Sequence, residues 1–273
     1  MAQKLQIKIG LIGGTGLEKN DILKGTKLVQ IEPTPYGNAS DSQILSGTIN
    51  GIEVFVLKRH GKEHNINPSN VNYRANLWTL KQLGVTHLLT TTACGSLKLA
   101  IEPGHLGIVD QYVDRTTKRE TSFYSVAHIP QGRPFNKEIQ KILKESCDEL
   151  GFKCHPNITA VTIEGPRFST LAESKLYQSW GCDIVNMTTV PEAPLSGELG
   201  FIYGSIALVT DYDCWHDNDE ESVSVELVEK RMKILGEKVS QVLVLAIDKI
   251  SKMDWTNVHE KKCLESKGSI MCL

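Results

Sequence analysis

Ile7-Lys8-Ile9-Gly10-Leu11-Ile12-Gly13-Gly14-Thr15-Gly16-Leu17 opens the ordered part of the pattern. An apolar run of this length, closed by glycines, is a buried strand entering a tight turn. Further short apolar runs follow at Gln43–Ile49, Ile52–Leu57, His87–Thr92, Leu106–Val109, Ile158–Ile163, Ile184–Met187 and Ile202–Thr210. Between some of them lie segments with helical spacing. Ser69 or Asn70 can cap one that runs through Ala75, Leu77, Trp78 and Leu80 to Gly84. Lys137–Leu150, Thr170–Ser179 and Ser222–Ile250 are the others, the last with Val225, Val228, Met232, Leu235, Val239 and Val242 on one stripe. Asn50-Gly51 joins two strands as a hairpin. Strands alternating with helices predict an α/β fold: one twisted, mixed sheet with helices on both faces. In such sheets ligands sit beyond the carboxyl ends of the strands.

The 273 residues are expected to form a single domain (1–273), with the tail from about residue 253 less defined, since no repeat, linker or low-complexity tract divides them. A net charge of −2 without a long basic run points away from nucleic acid and anionic membranes as partners. The glycines at 13, 14 and 16 interrupt what would be a signal-peptide core, and no apolar stretch reaches the length of a membrane span. The seven cysteines are scattered and none forms C-x-x-C, which fits reduced thiols in a cytoplasmic protein, with the nucleus a second possibility. The sequon at Asn157 carries no weight without secretion.

Several strand ends carry polar chemistry. The glycine turn with Thr15 suits close approach of backbone amides to an oxyanion, or simply a strand-to-helix turn. It lacks the third glycine of a dinucleotide fingerprint, where Lys19 stands, and the Gly-Lys-Ser/Thr of a P-loop. Arg59 and His60 follow a strand end and can donate to one anion, or form a surface basic pair. His60 to His64 matches H-x-x-E-H, but Gly61, the preceding strand and Pro68 argue against the helix that zinc ligation requires, so no metal is expected. Thr90-Thr91-Thr92-Ala93-Cys94-Gly95-Ser96 offers hydroxyls and amides before a glycine, or ordinary β-formers, and Cys94 reads as a buried thiol rather than a nucleophile. Asp211 and Asp213 end the strand 202–210. Paired acids there cost stability unless they cap a helix or do chemistry, and their pKa values can split so that one protonates a purine while the other stays charged.

The segments IGLIGGTGLE, RHGKEHNINPSNVNYRANLW, TTACGSL, TIEGPRFST, NMTTVPEAPLSGELG and ALVTDYDCW occur in this order. Together they resemble the methylthioadenosine phosphorylase branch of the trimeric purine nucleoside phosphorylases, from about Ile7 to about Ile250. The resemblance implies a homotrimer that cleaves 5′-methylthioadenosine with inorganic phosphate and needs no cofactor. It implies that Thr15, Arg59, His60, Thr92, Ala93 and Thr188 hold phosphate. Met187 would lie against the ribose, Phe168, Ser169 and the catalytic Asp211 and Asp213 around the base, and Cys94, Gly95 and Asn186 would also bind the nucleoside. Val225 would line the methylthio pocket, and His128 would stand at the sugar's 5′ end, in its own or a neighbouring subunit's site. Ser125–Pro134 looks shorter than the family's loop, and the tail does not align. The alternatives are cleavage of 6-oxopurine nucleosides, hydrolysis, and a nucleoside- or dinucleotide-binding module without turnover. Ser169 and Asp211, where relatives that cleave oxopurines have other side chains, favour an aminopurine.

Overall fold

In the computed structural model, which describes residues 4–13, 22–216 and 224–272, the first strand β1 (Lys8–Gly13) is buried at every position but its first. It lies parallel between β4 (Ile52–Lys58) and β5 (His87–Ser96). The hairpin of β3 (Gln43–Ile49) and β4 turns at Asn50 and Gly51, whose φ values of 49° and 80° are what this two-residue turn demands. β2 (Lys24–Gln30) adds an outer strand beside β3. It is exposed at nearly every position, so neither a buried run nor an alternating pattern marks it in the sequence.

The other side of β5 closes on itself. β10 (Ile202–Asp211) runs parallel to β5 and antiparallel to β6 (Leu106–Arg115). β6 pairs with β8 (Cys154–Ile163), β8 with β9 (Ile184–Asn186), and β9 returns antiparallel to the end of β5. Five strands therefore form a ring, and β1, β4, β3 and β2 extend from it as a twisted wing. β6 runs past the apolar stretch read from sequence, because its distal half, where burial lapses, still pairs with the buried half of β8, and β8 itself begins four residues before its apolar run.

Helices cover both faces. α2 (Lys137–Glu149) and α5 (Val225–Ser251) pack on one, with Leu143, Val239, Leu243 and Ile247 in the core they share. α1 (Tyr73–Gln82) and α4 (Thr189–Glu198) pack on the other, with Leu77, Leu80, Ala193 and Leu195. The cap of α1 is Asn72, two residues beyond the nearer expected cap, and its side chain accepts from the Ala75 amide at 3.1 Å. α3 (Leu171–Ser179) starts with a reciprocal capping box of Thr170 and Glu173. The tail forms α6 (Thr256–Ser269) and a short strand β11 (Ile270–Cys272) paired with β7 (Val126–Ala127). Trp255, 1% exposed, docks α6 against the ring of His87.

Candidate active site

The carboxyl ends of β1, β4, β5 and β10 fall on one edge because these strands are mutually parallel. Beyond that edge lies a cavity of about 390 Å³, within the range of small-molecule sites. It is lined by Arg59 and His60 after β4, Thr91 to Gly95 of β5, Asn186 to Thr188 after β9, Phe168 and Ser169 before α3, and Thr210, Asp211 and Asp213 at the end of β10. The turn with Thr15 continues from β1 but lies outside the described residues.

One end of the cavity is built from donors. Arg59 is 2% exposed. Its Nε and Nη2 donate to the two carboxylate oxygens of Glu192 at 2.5 and 2.9 Å, and its Nη1 donates to the Thr91 carbonyl at 3.0 Å. The fork is thus fixed, with its remaining N–H groups on the two Nη atoms. Burial alone would lower the Arg59 pKa, but Glu192 reverses that and holds the guanidinium charged. Thr92 on β5 and Thr188 at the start of α4 place their hydroxyls 3.1 Å apart. Ala93 follows Thr92 along the wall. His60 Nδ1 lies 2.8 Å from the Ile66 carbonyl. Burial, then the neighbouring Arg59 charge, push its ring pKa down to about 4, so it is neutral at physiological pH. The stretch from His60 to His64 is a series of turns, not the helix of a zinc protease.

The other end holds two acids. Asp211 is 3% exposed. Its Oδ2 accepts from the Thr210 hydroxyl at 2.7 Å and its Oδ1 from the Asp213 amide at 2.8 Å. Burial raises its pKa to about 6, against those bonds, and the Asp213 charge adds to the rise. The pair does not share the strand alternation expected from spacing. β10 stops at Asp211, and Asp213 faces the cavity from a turn, in left-handed backbone with φ of 54°. Tyr212, whose hydroxyl donates to the Leu99 carbonyl, and Trp215, whose Nε1 donates to the Ser96 carbonyl, anchor that turn. Burial also raises Asp213. The Ser169 and Ser174 hydroxyls stand beside its carboxylate and favour its charge, though neither reaches good hydrogen-bond geometry. Gly95 lies beneath both acids: a Cβ there would come 2.8 Å from Asp211 Oδ1 and 3.1 Å from Asp213 Cβ. Cys94 is buried, its thiol donates to the Leu208 carbonyl at 3.5 Å, and burial pushes its pKa well up, as a structural thiol requires.

Between the two ends sit Asn186 and Met187. The Asn186 amide is committed within the protein, accepting from Thr162 at 2.9 Å and donating to Thr189 at 2.6 Å, so it orients the β9–α4 junction that carries Thr188. Val225 is 66% exposed and does not line the cavity. Val228 and Met232, further along the same helix, do. The helical stripe enters the cavity one turn later than Val225, the residue that the resemblance places there. His128 is likewise exposed and outside the lining. Its amide donates to the Ser269 carbonyl, tying the 125–134 loop to the C-terminal strand within the subunit.

Sequence reading missed the supports of the donor end. Glu192, fully buried against Arg59, sits in Val190-Pro191-Glu192-Ala193-Pro194, where two prolines disguise a helix. Arg119 stands among Lys118 and Glu120 and reads as solvated charge, yet its side chain is 1% exposed. Its guanidinium donates to the carbonyls of Met187 (2.5 Å), Val190 (2.7 Å) and Glu164 (2.6 Å) and pairs with the Glu164 carboxylate. For Glu164, burial is outweighed by bonds from Ser69, Thr117 and Lys118 and by the Arg119 charge, which hold its pKa down to about 2. No local pattern marks either residue.

The family model described as the phosphorylase superfamily matches residues 8–248. The chain is 48% identical to S-methyl-5′-thioadenosine phosphorylase of Danio rerio, over 99% of both chains. It is 44% identical to the enzyme of that name from Drosophila melanogaster, over 95% of this chain and 92% of the other. Among solved structures, methylthioadenosine phosphorylase from Schistosoma mansoni in complex with adenine superposes with a TM-score of 0.93 at 38% identity, covering 97% of this chain and 99% of that one. A mutant of the adenosine/methylthioadenosine phosphorylase of that organism, in complex with methylthioadenosine, gives 0.90 at the same identity, coverage again being 97% and 99%.

Proposed function

The chain belongs to the phosphorylase superfamily, and from that premise we propose how its cavity cleaves 5′-methylthioadenosine with inorganic phosphate to adenine and 5-methylthioribose-1-phosphate. The observation that carries the reading is one cavity with a fixed array of donors at one end and a buried carboxyl pair at the other. Phosphate takes the donor end, against Arg59, His60, Thr92, Ala93 and Thr188. Thr15 is assigned there too, on the resemblance alone. Adenine takes the acidic end, with Phe168 against its face and Ser169 at its edge. Met187 lies against the ribose, and Val228 and Met232 provide the apolar contact for the methylthio group.

The C1′–N9 bond breaks with its electron pair passing to the purine. N7 takes a proton from Asp211, whose raised pKa keeps a protonated fraction available near neutrality. A phosphate oxygen closes on C1′ from the opposite face, stabilised as charge develops by the fixed donors. The sugar phosphate releases the proton that phosphate brought, and Asp211 recovers one from solvent. The Asp213 carboxylate accepts from the adenine amino group, which an oxopurine lacks. A site built for that bond leaves buried groups unpaired when the wrong base enters.

The expected assembly is a homotrimer and the expected place the cytoplasm, with no nucleic-acid or membrane partner. Leu171, Leu176 and Trp180 of α3 are 46–48% exposed beside the cavity, apolar surface that a subunit contact would cover. Among the described residues no helix is long and apolar enough to cross a membrane. The direct test is adenine release from methylthioadenosine and hypoxanthine release from inosine, each with and without phosphate. Adenine release that depends on phosphate, with little from inosine, is the expected result. Equal release without phosphate would make the protein a hydrolase, and a preference for inosine would overturn the base assignment.

A further inference from the structure

The donor end is expected to receive a dianion, yet among the described residues Arg59, which lines it, and Arg119, which stands behind it, are already matched. Arg59 is held by both oxygens of Glu192, and Arg119 pairs with Glu164. Neither brings the cavity an uncompensated charge. Recognition there therefore rests on directed hydrogen bonds, in which each oxygen of the anion must meet a donor unless it carries a hydrogen of its own.

His60 breaks the run of donors. The Ile66 carbonyl, 2.8 Å from Nδ1, can only accept, so Nδ1 carries the ring's hydrogen. A second proton on the ring is opposed by burial and by the neighbouring Arg59, His64 and Arg119. The His64 ring lies against that of His60 at a tilt of 48°, with centroids 4.8 Å apart. Nε2 is left as a lone pair on a ring that lines the cavity.

An oxyanion bearing no hydrogen would set oxygen lone pairs against that nitrogen. One bearing a hydroxyl would donate to it. Phosphate and arsenate carry such a hydroxyl at neutral pH, whereas sulfate, of the same shape, does not. Resting on the phosphorolytic reading above, we propose that His60 is a specificity-determining residue that accepts a hydrogen bond from the hydroxyl of the incoming phosphate and so selects hydrogen-bearing oxyanions over sulfate. The Ile66 carbonyl and the His64 ring set its tautomer and orientation.

The test is competition at pH 7.5 in the adenine-release assay, together with calorimetric titration of phosphate, arsenate and sulfate into the protein. Arsenate should support adenine release with a KM within about tenfold of that for phosphate. Sulfate should bind at least tenfold to a hundredfold more weakly than phosphate, the difference one buried hydrogen bond makes when it is replaced by an unmatched pair. In His60→Ala the phosphate KM should rise while sulfate binding stays the same or tightens, so the ratio collapses. His60→Lys, which puts a donor in place of the acceptor, should tighten sulfate. Wild-type protein that binds sulfate as well as phosphate overturns the proposal, as does an equal weakening of both anions in His60→Ala. The wild-type ratio decides the matter even if a variant fails to fold. Absence of any phosphate-dependent adenine release would instead remove the phosphorolytic reading itself, a separately visible failure.

Discussion

The two ends of the cavity are both buried, but they are stabilised in opposite ways. At the donor end Arg59 and Glu192 form a bidentate pair, each 2% exposed, so that charge meets charge before any ligand arrives. At the acidic end Asp211 and Asp213 stand together over Gly95, held by a hydroxyl and a main-chain amide, with Arg231 only partly offsetting the Asp211 charge. The first end is a finished scaffold that positions a ligand. The second raises the pKa of Asp211 toward neutrality, so that a protonated carboxyl is available to a leaving group. Preorganisation and proton supply thus fall to different groups of one cavity, which is the division that cleavage of a glycosidic bond between a base and an anion needs.

Removing the proton donor should have the largest effect. Asp211→Asn keeps the shape, and its amide can accept from the Asp213 main chain and donate to the Thr210 hydroxyl, but it has no transferable proton, and kcat/KM for methylthioadenosine should fall by about 10²–10⁴-fold with circular dichroism unchanged. Loss of less than about threefold would break the contrast, because Asp211 would then be a support like Glu192. Next comes the scaffold. Glu192→Gln leaves Arg59 buried beside a neutral amide and should cost about 3–5 kcal/mol of stability in urea titrations, with a raised KM for phosphate. Replacing both members by apolar residues should restore much of the stability and none of the phosphate affinity.

The acidic end also carries a pH signature of defined sign. The folded pKa of Asp211 lies near 6, above the ordinary value of 3.8. Its contribution to stability is therefore full below about pH 4 and is lost as pH rises through 6, a total of about 3 kcal/mol. Asp211→Asn should accordingly gain stability relative to the parent between pH 4.5 and 7.5. A pH-independent difference would show that the acid is not held neutral. The smallest effect separates neighbours on α5. Met232→Ala should raise the KM for methylthioadenosine by about 1–3 kcal/mol in free-energy terms, while Val225→Ala, on an exposed turn, should stay within about 0.5 kcal/mol.

The strand ends were legible because they combine two local signals, an apolar run and a polar stop. That is how Arg59, Thr92 and Asp211 stand out in the sequence, whereas Thr188 comes from the resemblance alone. What was not legible is carried by tertiary pairing. Arg119 looks solvated in sequence and is buried only because the carbonyls of Met187 and Val190 converge on it. Glu192 is hidden by Pro191 and Pro194, which in isolation argue against the helix it occupies. β2 has no buried face to leave a pattern, and its place comes from β3 alone. Periodicity finds the stripe on α5 that holds Val228 and Met232, but not which of its turns meets the cavity, which depends on where the helix begins.

A crystal structure of the protein with adenine and phosphate bound together would test the central claim most directly. The account predicts phosphate within hydrogen-bond distance of Thr92, Thr188 and His60, and adenine N7 against the carboxyl of Asp211, with space for one ribose between them. An anion bound away from Arg59 and Thr188, or a purine whose N7 faces any group but Asp211, would contradict it.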